Sequence, residues 1–386
     1  MAAGVYLAAS KEPHVIRLAL DLPPQGCVVY IDAGLLETLP AHILERVPAA
    51  HYGIVADSHV GDTYAWPLAA ALREEGVRAD VVSFPAGEAH KSRETWAQLT
   101  DALLARRLGR DGCIIALGGG VSCDLGGFVA ATYMRGLPCI QVPTSLLAMI
   151  DASIGGKTAV DVPAGKNLVG AFLQPRLVAI DPLALRTLPE RELRAGLAEA
   201  AKHGAIADAA YLQWIGENAR ALLARDPRAL EHLIRRSVEI KAAVVQADPL
   251  ELGVRAVLNC GHTVAHAIEV LSAYAVPHGY AVAIGMVAEA EIGEAAGTTR
   301  PGTAAELRTT LHGLGLPVTL PPGLAPSDIL AAAASDKKAR ATRIRYALLA
   351  QAGRTATDAD GWHTVEVEDE IALHALGRCL PRERRD

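Results

Sequence analysis

Residues 113–124 read Cys-Ile-Ile-Ala-Leu-Gly-Gly-Gly-Val-Ser-Cys-Asp, and the first half of the chain is organised around them. Cys113–Leu117 is an apolar run of strand length, and Gly118-Gly119-Gly120 leads from it into a helical pattern. Glycines at such a turn let backbone N–H groups approach a pyrophosphate, and the helix N-terminus favours the anion. The usual dinucleotide fingerprint has a third glycine where Cys123 stands, and an acidic residue about 20 positions on that is missing here. Taken alone, the stretch reads equally well as a tight turn and as a phosphate cradle.

Working outward, Cys27–Asp32, Tyr52–Ala56, Ala79–Phe84, Ile140–Val142 and Leu177–Ile180 are further short runs suited to strands, with helix-like stretches such as Thr95–Arg107 between them. That alternation predicts a mostly parallel sheet wrapped by helices. After about Asp181 the strand signals fade. Thr187-Leu188-Pro189-Glu190 reads as a capping box that starts a helix running to His203 and stopping at Gly204. Helical patterns continue over Pro227–Gln246, His262–Leu271, Ala281–Ala296 and Ala304–His312, and Ala331–Ala334 also reads as helix. The expected fold class is α/β: a Rossmann-like parallel-sheet domain over residues 1–184, then a mainly α-helical domain over 185–386. The cleft between two such domains is the natural active site.

At 51% hydrophobic and 21% charged residues, the 386-residue chain can bury sizeable cores. A net charge of -6 argues against a general nucleic-acid binder but leaves room for a local basic pocket. The six cysteines form no C-x-x-C pair and sit mostly in apolar runs, so reduced thiols in a cytoplasmic protein are expected. No signal-peptide pattern opens the sequence and no run is long and apolar enough for a membrane span.

Asn259-Cys260-Gly261-His262-Thr263-Val264-Ala265-His266 places two histidines at i and i+4 on one helix face. His278-Gly279 follows downstream, and upstream Glu199 and Lys202 share a helix face. One carboxylate with two or three imidazoles suits Zn²⁺, although a histidine or a helical glutamate is ordinarily just a solvated or satisfied polar residue. The H-E-x-x-H pattern of zinc proteases is absent. Asp151-Ala152-Ser153-Ile154-Gly155-Gly156-Lys157-Thr158 lacks the first glycine of a P-loop. Asp57 ends a strand-like run where a carboxylate could bind a ribose hydroxyl. Glu88 and Lys91, after the turn Pro85-Ala86-Gly87, read on their own as surface loop. Arg135, Lys157, Lys166, Asn167, Lys202, Lys241, Arg255 and Lys338 sit beside glycine, asparagine or apolar residues; around a metal they would suit a substrate with both phosphate and carboxylate.

These segments together resemble the 3-dehydroquinate synthase family. The matching stretches are GGGVSCDLGGFVAATYMRG, QVPTSLLAMIDASIGGKTAVD, PAGKNLVGAF, ELRAGLAEAAKHG, KAAVVQADPLELGVRAVLNCGHTVAHAIE, the His278-Gly279 pair and Asp336-Lys337-Lys338, in the family's order over about Asp57 to Leu349. The resemblance implies Glu199, His262 and His278 as ligands of Zn²⁺ or Co²⁺, with His266 contacting substrate. It implies Asp57, Glu88, Lys91, Gly119, Gly120, Asp124, Thr144, Ser145 and Thr187 as NAD contacts, with Lys157 at both cofactor and substrate and Lys166 between the two. It implies Arg135, Asp151, Asn167, Lys202, Lys241, Glu251, Arg255, Asn259 and Lys338 around the substrate.

The chain departs from the family pattern at Asp248-Pro249-Leu250-Glu251, His203, Ala265 and the residues after Lys338. None of these is a residue given a chemical role except Glu251, which is retained. The implied reaction converts 3-deoxy-D-arabino-heptulosonate 7-phosphate, a phosphorylated sugar acid, to 3-dehydroquinate and phosphate, in a homodimer. An aminodehydroquinate synthase or another sugar phosphate cyclase, a metal-dependent polyol dehydrogenase and a non-catalytic NAD-binding regulator are the rival readings.

Overall fold

The computed structural model describes residues 6–7, 15–23, 26–336 and 344–381. By its contacts the chain divides into two units: Met1–Leu188 with Leu230–Leu250, and Pro189–Ala229 with Glu251–Asp386. The sequence pattern puts Leu230–Leu250 with the helical residues after 185, because helical periodicity does not say which core a helix packs on; by contacts this stretch groups with the sheet.

The first unit contains β1 (Tyr6–Leu7), β2 (Ile16–Leu20), β3 (Cys27–Ile31), α1 (Leu35–Arg46), β4 (His51–Asp57), α2 (Trp66–Glu74), β5 (Arg78–Phe84), α3 (Arg93–Ala105), β6 (Gly112–Gly118), α4 (Gly120–Thr132), β7 (Cys139–Pro143), β8 (Lys157–Val162), β9 (Gly165–Phe172) and β10 (Leu177–Ile180). Eight strands form one sheet in the order β1-β2-β3-β10-β7-β6-β4-β5. The strands from β3 to β5 in that order are parallel, and they are the six runs picked out by composition. β4 and β6 are buried at every position, which is why they read as unbroken apolar runs rather than alternating ones. Leu35, Leu39, Ile43, Leu68 and Leu72 from α1 and α2 pack into one core cluster. Leu99, Leu103, Leu125 and Val129 from α3 and α4 pack into another.

The pairs β1–β2 and β2–β3 are antiparallel, and β8 and β9 form a separate two-stranded sheet. Neither feature was read from the sequence. The β8–β9 hairpin is hidden by its glycines: a Cβ at Gly170 would stand 2.2 Å from the Thr158 carbonyl oxygen, so glycine there serves close strand approach. From β4 the chain crosses to β5 on one side, whereas β6, β7 and β10 lie on the other. The carboxyl ends of β4 and β6 therefore flank the topological switch point, where open α/β sheets bind ligands.

The chain continues with α5 (Glu190–Ala207), α6 (Ala209–Glu217), α7 (Ala219–Leu223) and α8 (Pro227–Ala247), most of which belongs to the first unit. The second unit resumes with α9 (His262–Leu271), α10 (His278–Ala295), α11 (Thr303–Gly313), α12 (Pro326–Asp336) and α13 (Asp369–Gly377). α10 packs against α5, α9, α11 and α13, so its run from Ala281 to Ala290 is buried on all sides.

Two expectations about α5 are corrected. Thr187 ends a 3₁₀ turn, Pro182–Thr187, and caps nothing; α5 begins at Glu190 behind Pro189 with no side-chain cap. Gly204 does not stop the helix, which runs on to Ala207. A Cβ at Gly204 would meet the Leu212 backbone nitrogen at 2.9 Å, so this glycine admits α6 rather than ending α5. The six cysteines are free and buried. Among the described residues no helix is long and apolar enough to cross a membrane.

Candidate metal centre and dinucleotide site

In the second unit, three helices deliver one cluster. Glu199, fully buried on α5, turns Oε1 to His278 Nε2 at 3.2 Å and to His262 Nε2 at 3.6 Å. Lys202, one turn on, holds Glu199 Oε2 at 2.7 Å. One donor atom from each of Glu199, His262 and His278 lies within 4.8 Å of the others. A carboxylate oxygen and two imidazole nitrogens converging this closely fit a borderline divalent ion such as Zn²⁺ or Co²⁺, with coordination positions left over. His266, one turn after His262, is exposed; its ring centroid lies 5.6 Å from that of His262 and 6.5 Å from that of His278.

Burial raises the carboxyl of Glu199, but the Lys202 ammonium and the two histidines outweigh it and hold the group well below the usual carboxylate range. Burial pushes His262 down to about 3 against the pull of Glu199. Burial also works to lower His278, yet its contacts with Glu199 and Glu269 raise it to about 10.

Two buried carboxylates that sequence reasoning passed over organise this centre. Glu269 Oε2 lies 3.3 Å from His278 Nδ1. Glu289 on α10 accepts the backbone N–H of Gly261 at 2.8 Å and of Val264 at 3.0 Å, so α10 caps the start of α9, where His262 sits. The available signal was an acidic residue inside an apolar helical run, Ala267-Ile268-Glu269-Val270 and Val287-Ala288-Glu289-Ala290.

In the first unit, Asp57 ends β4 and accepts the Ser122 hydroxyl at 2.9 Å and the His59 N–H at 2.9 Å. Asp57 thus sets a carboxylate beside the glycine turn from β4, the strand that neighbours β6. Gly118 has φ 143°, and a Cβ there would meet Ser122 Oγ at 2.4 Å, so the fold itself requires this glycine. Gly119 and Gly120 are different. Cβ atoms there would make only ordinary contacts, 3.6 Å to Ser145 Oγ and 3.7 Å to Ala152 Cβ. Packing does not demand glycine at these two positions, and the bare backbone they leave at the start of α4 suits the close approach of an anion.

Thr144 donates its N–H to the Gly118 carbonyl at 2.8 Å, tying the loop after β7 to the same turn, and Ser145 Oγ accepts the Ala148 N–H at 3.3 Å. Lys91 corrects its reading as a surface residue. Only 4% exposed, it reaches Asp124 Oδ2 and Asn167 Oδ1, both at 2.5 Å. Burial works to lower the Lys91 ammonium, but Asp124, Glu88 and Asp161 hold it above its ordinary value; for Asp124 burial wins and raises the carboxyl despite Lys91. Glu88 is half exposed and pairs with Lys166 at 3.6 Å. Lys241 holds the Asp151 carboxylate at 2.5 Å and its carbonyl at 2.7 Å, across a π-helical turn, Ala148–Ala152.

Other site residues are more dispersed. Lys157 is exposed at the start of β8, and Thr187 is exposed. Arg135 lies on an exposed turn beyond the far end of α4, about 20 Å of helix from the glycine turn, with φ 68° after Met134 at φ 50°. In the second unit Glu251 adopts φ 60°, Arg255 is 1% exposed in the 3₁₀ turn Val254–Asn259, and Asn259 is exposed. Lys338 falls outside the described residues.

A parallel sheet with a glycine turn at its switch point, joined to a helical unit with a Glu-His-His cluster, defines a class of proteins equipped for a dinucleotide and a divalent metal. The structure is similar to that of 2-deoxy-scyllo-inosose synthase complexed with carbaglucose-6-phosphate, NAD⁺ and Co²⁺, at TM-score 0.86 and 25% identity over 94% of this chain and 100% of that one. It is also similar to 2-epi-5-epi-valiolone synthase from Streptomyces hygroscopicus subsp. jinggangensis 5008 with NAD⁺ and Zn²⁺ bound, at TM-score 0.82 and 29% identity over 93% and 98% of the two chains. Family models match more specifically: 3-dehydroquinate synthase N-terminal over residues 81–195 and 3-dehydroquinate synthase C-terminal over residues 196–339. A 3-dehydroquinate synthase of Symbiobacterium thermophilum is 44% identical over 344 residues, 88% of this chain and 96% of that protein. The chain belongs to the 3-dehydroquinate synthase family.

Proposed function

We infer that this protein catalyses the 3-dehydroquinate synthase reaction, an NAD- and metal-dependent elimination of phosphate from 3-deoxy-D-arabino-heptulosonate 7-phosphate followed by closure to 3-dehydroquinate. The convergence of Glu199, His262 and His278 within a chain of this family carries the reading. The NAD⁺ and Co²⁺ or Zn²⁺ of the two similar structures support the same cofactors here.

Phosphate does not leave from an unactivated carbon. When bound, NAD⁺ supplies reversible oxidation of the ring alcohol, which acidifies the adjacent C–H, and a divalent ion supplies polarisation of that oxygen. The remaining work falls to side chains. Gly119 and Gly120 leave room for the pyrophosphate, Asp57, Glu88, Thr144, Ser145 and Thr187 complete the cofactor site, and Lys166 lies between cofactor and substrate. Lys91 sets Asp124 and Asn167 in place. Lys157, Asn167, Arg255 and Lys338 grip the phosphate and carboxylate ends of the substrate. Arg135, Asp151, Lys202, Lys241, Glu251 and Asn259 complete its surroundings. His266, exposed beside His262, carries a proton to or from the alcohol. The departing phosphate serves as base for its own elimination; the oxidised carbon is then reduced back to the alcohol, the ring opens and an intramolecular aldol closes the carbocycle, with no net redox change.

The division of labour is NAD binding by the sheet-containing part, bounded by the sequence pattern at residues 1–184, and metal and substrate binding by the helical part over 185–386, apart from Leu230–Leu250, which packs with the first unit. Six free, buried thiols support a cytoplasmic location. A homodimer is supported by the apolar residues exposed on β9, Leu168 at 63% and Phe172 at 48%. Incubation of the metal-loaded protein with the heptulosonate phosphate and NAD⁺ should release phosphate and 3-dehydroquinate one for one without accumulating NADH. Stoichiometric NADH would instead make the protein a polyol dehydrogenase.

A further inference from the structure

His278 touches two carboxylates, one through each ring nitrogen. Its Nε2 stands 3.2 Å from Glu199 Oε1, and its Nδ1 stands 3.3 Å from Glu269 Oε2. His262 is arranged alike, with Nε2 toward Glu199 Oε1 and Nδ1 3.1 Å from the Cys260 carbonyl oxygen. Both rings thus turn Nε2 to the cluster and Nδ1 to an acceptor. For His262 that acceptor is backbone; for His278 it is a side chain, and a mutation can remove it.

We propose that Glu269 is the positioning residue of the metal centre: it accepts the Nδ1 proton of His278 and so fixes the tautomer and ring orientation in which Nε2 presents its lone pair to the ion. This role rests on the metal reading above. An imidazole free to flip or to exchange tautomers spends only part of its time as a ligand, and a carboxylate on the outer nitrogen removes that freedom.

Glu269 is only 5% exposed, and a carboxylate that deep is costly unless it is engaged. It lies seven residues after His262 on α9, two turns along the same face, so α9 carries one ligand and orients another. The backbone around it is tied down. The Glu269 carbonyl accepts the Tyr274 N–H at 2.7 Å and the Ser272 hydroxyl at 3.1 Å, closing the helix through Ala273 and Tyr274 at φ 48° and 62°. Glu289 fixes the other end of α9 to α10. His278, first residue of α10, is therefore held in register with Glu269 from both ends of α9.

The test is Co²⁺ affinity, measured by chelator competition on the full chain, for the parent, Glu269→Ala, Glu269→Gln and His278→Ala. Glu269→Ala should weaken Co²⁺ binding about 10–100-fold, and Glu269→Gln should weaken it less because its amide oxygen still accepts the Nδ1 proton. The visible spectrum of bound Co²⁺ should change in Glu269→Ala. NAD⁺ affinity, which reports the other unit, should stay at the parent value in both variants. Co²⁺ affinity within about twofold of the parent in both Glu269 variants would overturn the proposal. If Glu269→Ala does not fold, Glu269→Gln decides: several-fold weaker Co²⁺ binding with parental NAD⁺ affinity sustains it, and unchanged binding overturns it. His278→Ala separates the two levels. If it binds Co²⁺ like the parent, the metal centre itself is misassigned and the role of Glu269 falls with it; if it loses the ion while the Glu269 variants keep it, only that role falls.

Discussion

Gly279 lies directly on the backbone of Ala195: a Cβ at position 279 would stand 2.2 Å from the Ala195 carbonyl oxygen and 2.5 Å from its Cα. The first turn of α10 can therefore rest on α5 one turn before Glu199, and this contact sets His278 against Glu199. Backbone cannot yield as a flexible side chain can. Gly279→Ala should push α10 off α5, costing about 1–3 kcal/mol of stability and weakening metal binding by at least about tenfold. Urea unfolding and metal titration would check both, and parental metal affinity in this variant would show that the contact does not set the ligand geometry.

Ligands and neighbours should separate cleanly. Chelation of the metal should abolish turnover, with Zn²⁺ or Co²⁺ restoring it. His262→Ala should reduce metal affinity more than about 100-fold, since one ligand of three is lost. His266→Ala should retain the ion and lose turnover. Metal content after dialysis distinguishes the two, and equal loss in both would remove His266 from its proton-transfer role.

The metal-free centre should bind its ion in competition with protons. His278, raised to about 10, is protonated at neutral pH and must give up that proton to become a ligand. Apparent affinity should therefore rise as pH increases from 6 toward 9, by roughly tenfold per unit where one proton is displaced. The folded pKa lies above the unfolded one, so the stability that His278 adds to the metal-free protein is fully present below about 6.5 and is lost as pH climbs through about 10. Calorimetry in buffers of different ionisation enthalpy would count the protons released; none would contradict this account.

Removing Lys91 should strand a carboxylate. The Lys91 and Asp124 side chains are 5% and 19% exposed, and Lys91 also holds Asn167. Lys91→Ala should cost about 3 kcal/mol and lower NAD⁺ affinity by about tenfold or more, while metal affinity stays at the parent level. Fluorescence titration with NAD⁺ provides the measurement. Undiminished NAD⁺ binding would take Lys91 and its partner out of the cofactor site.

Much of this protein was determined by local chemistry and can be read from the chain alone. Strands buried on both faces must be apolar throughout, so Tyr52–Ala56 and Cys113–Leu117 announced themselves, as did the histidine pair at helical spacing on His262–Leu271. What only the tertiary structure decided are contacts between residues far apart in sequence. Lys91 reads as loop until Asp124 and Asn167 close over it. Gly204 reads as a helix stop until α6 is seen packing where its Cβ would be. Asp57 comes to lie beside the glycine turn because strand order, which no local pattern encodes, sets β4 beside β6. Glu269 and Glu289 are unremarkable acidic residues in helical runs until folding buries them against His278 and the start of α9. Local sequence sets which conformation a segment prefers, but a buried charge acquires its partner, and hence its role, only when distant segments are packed together.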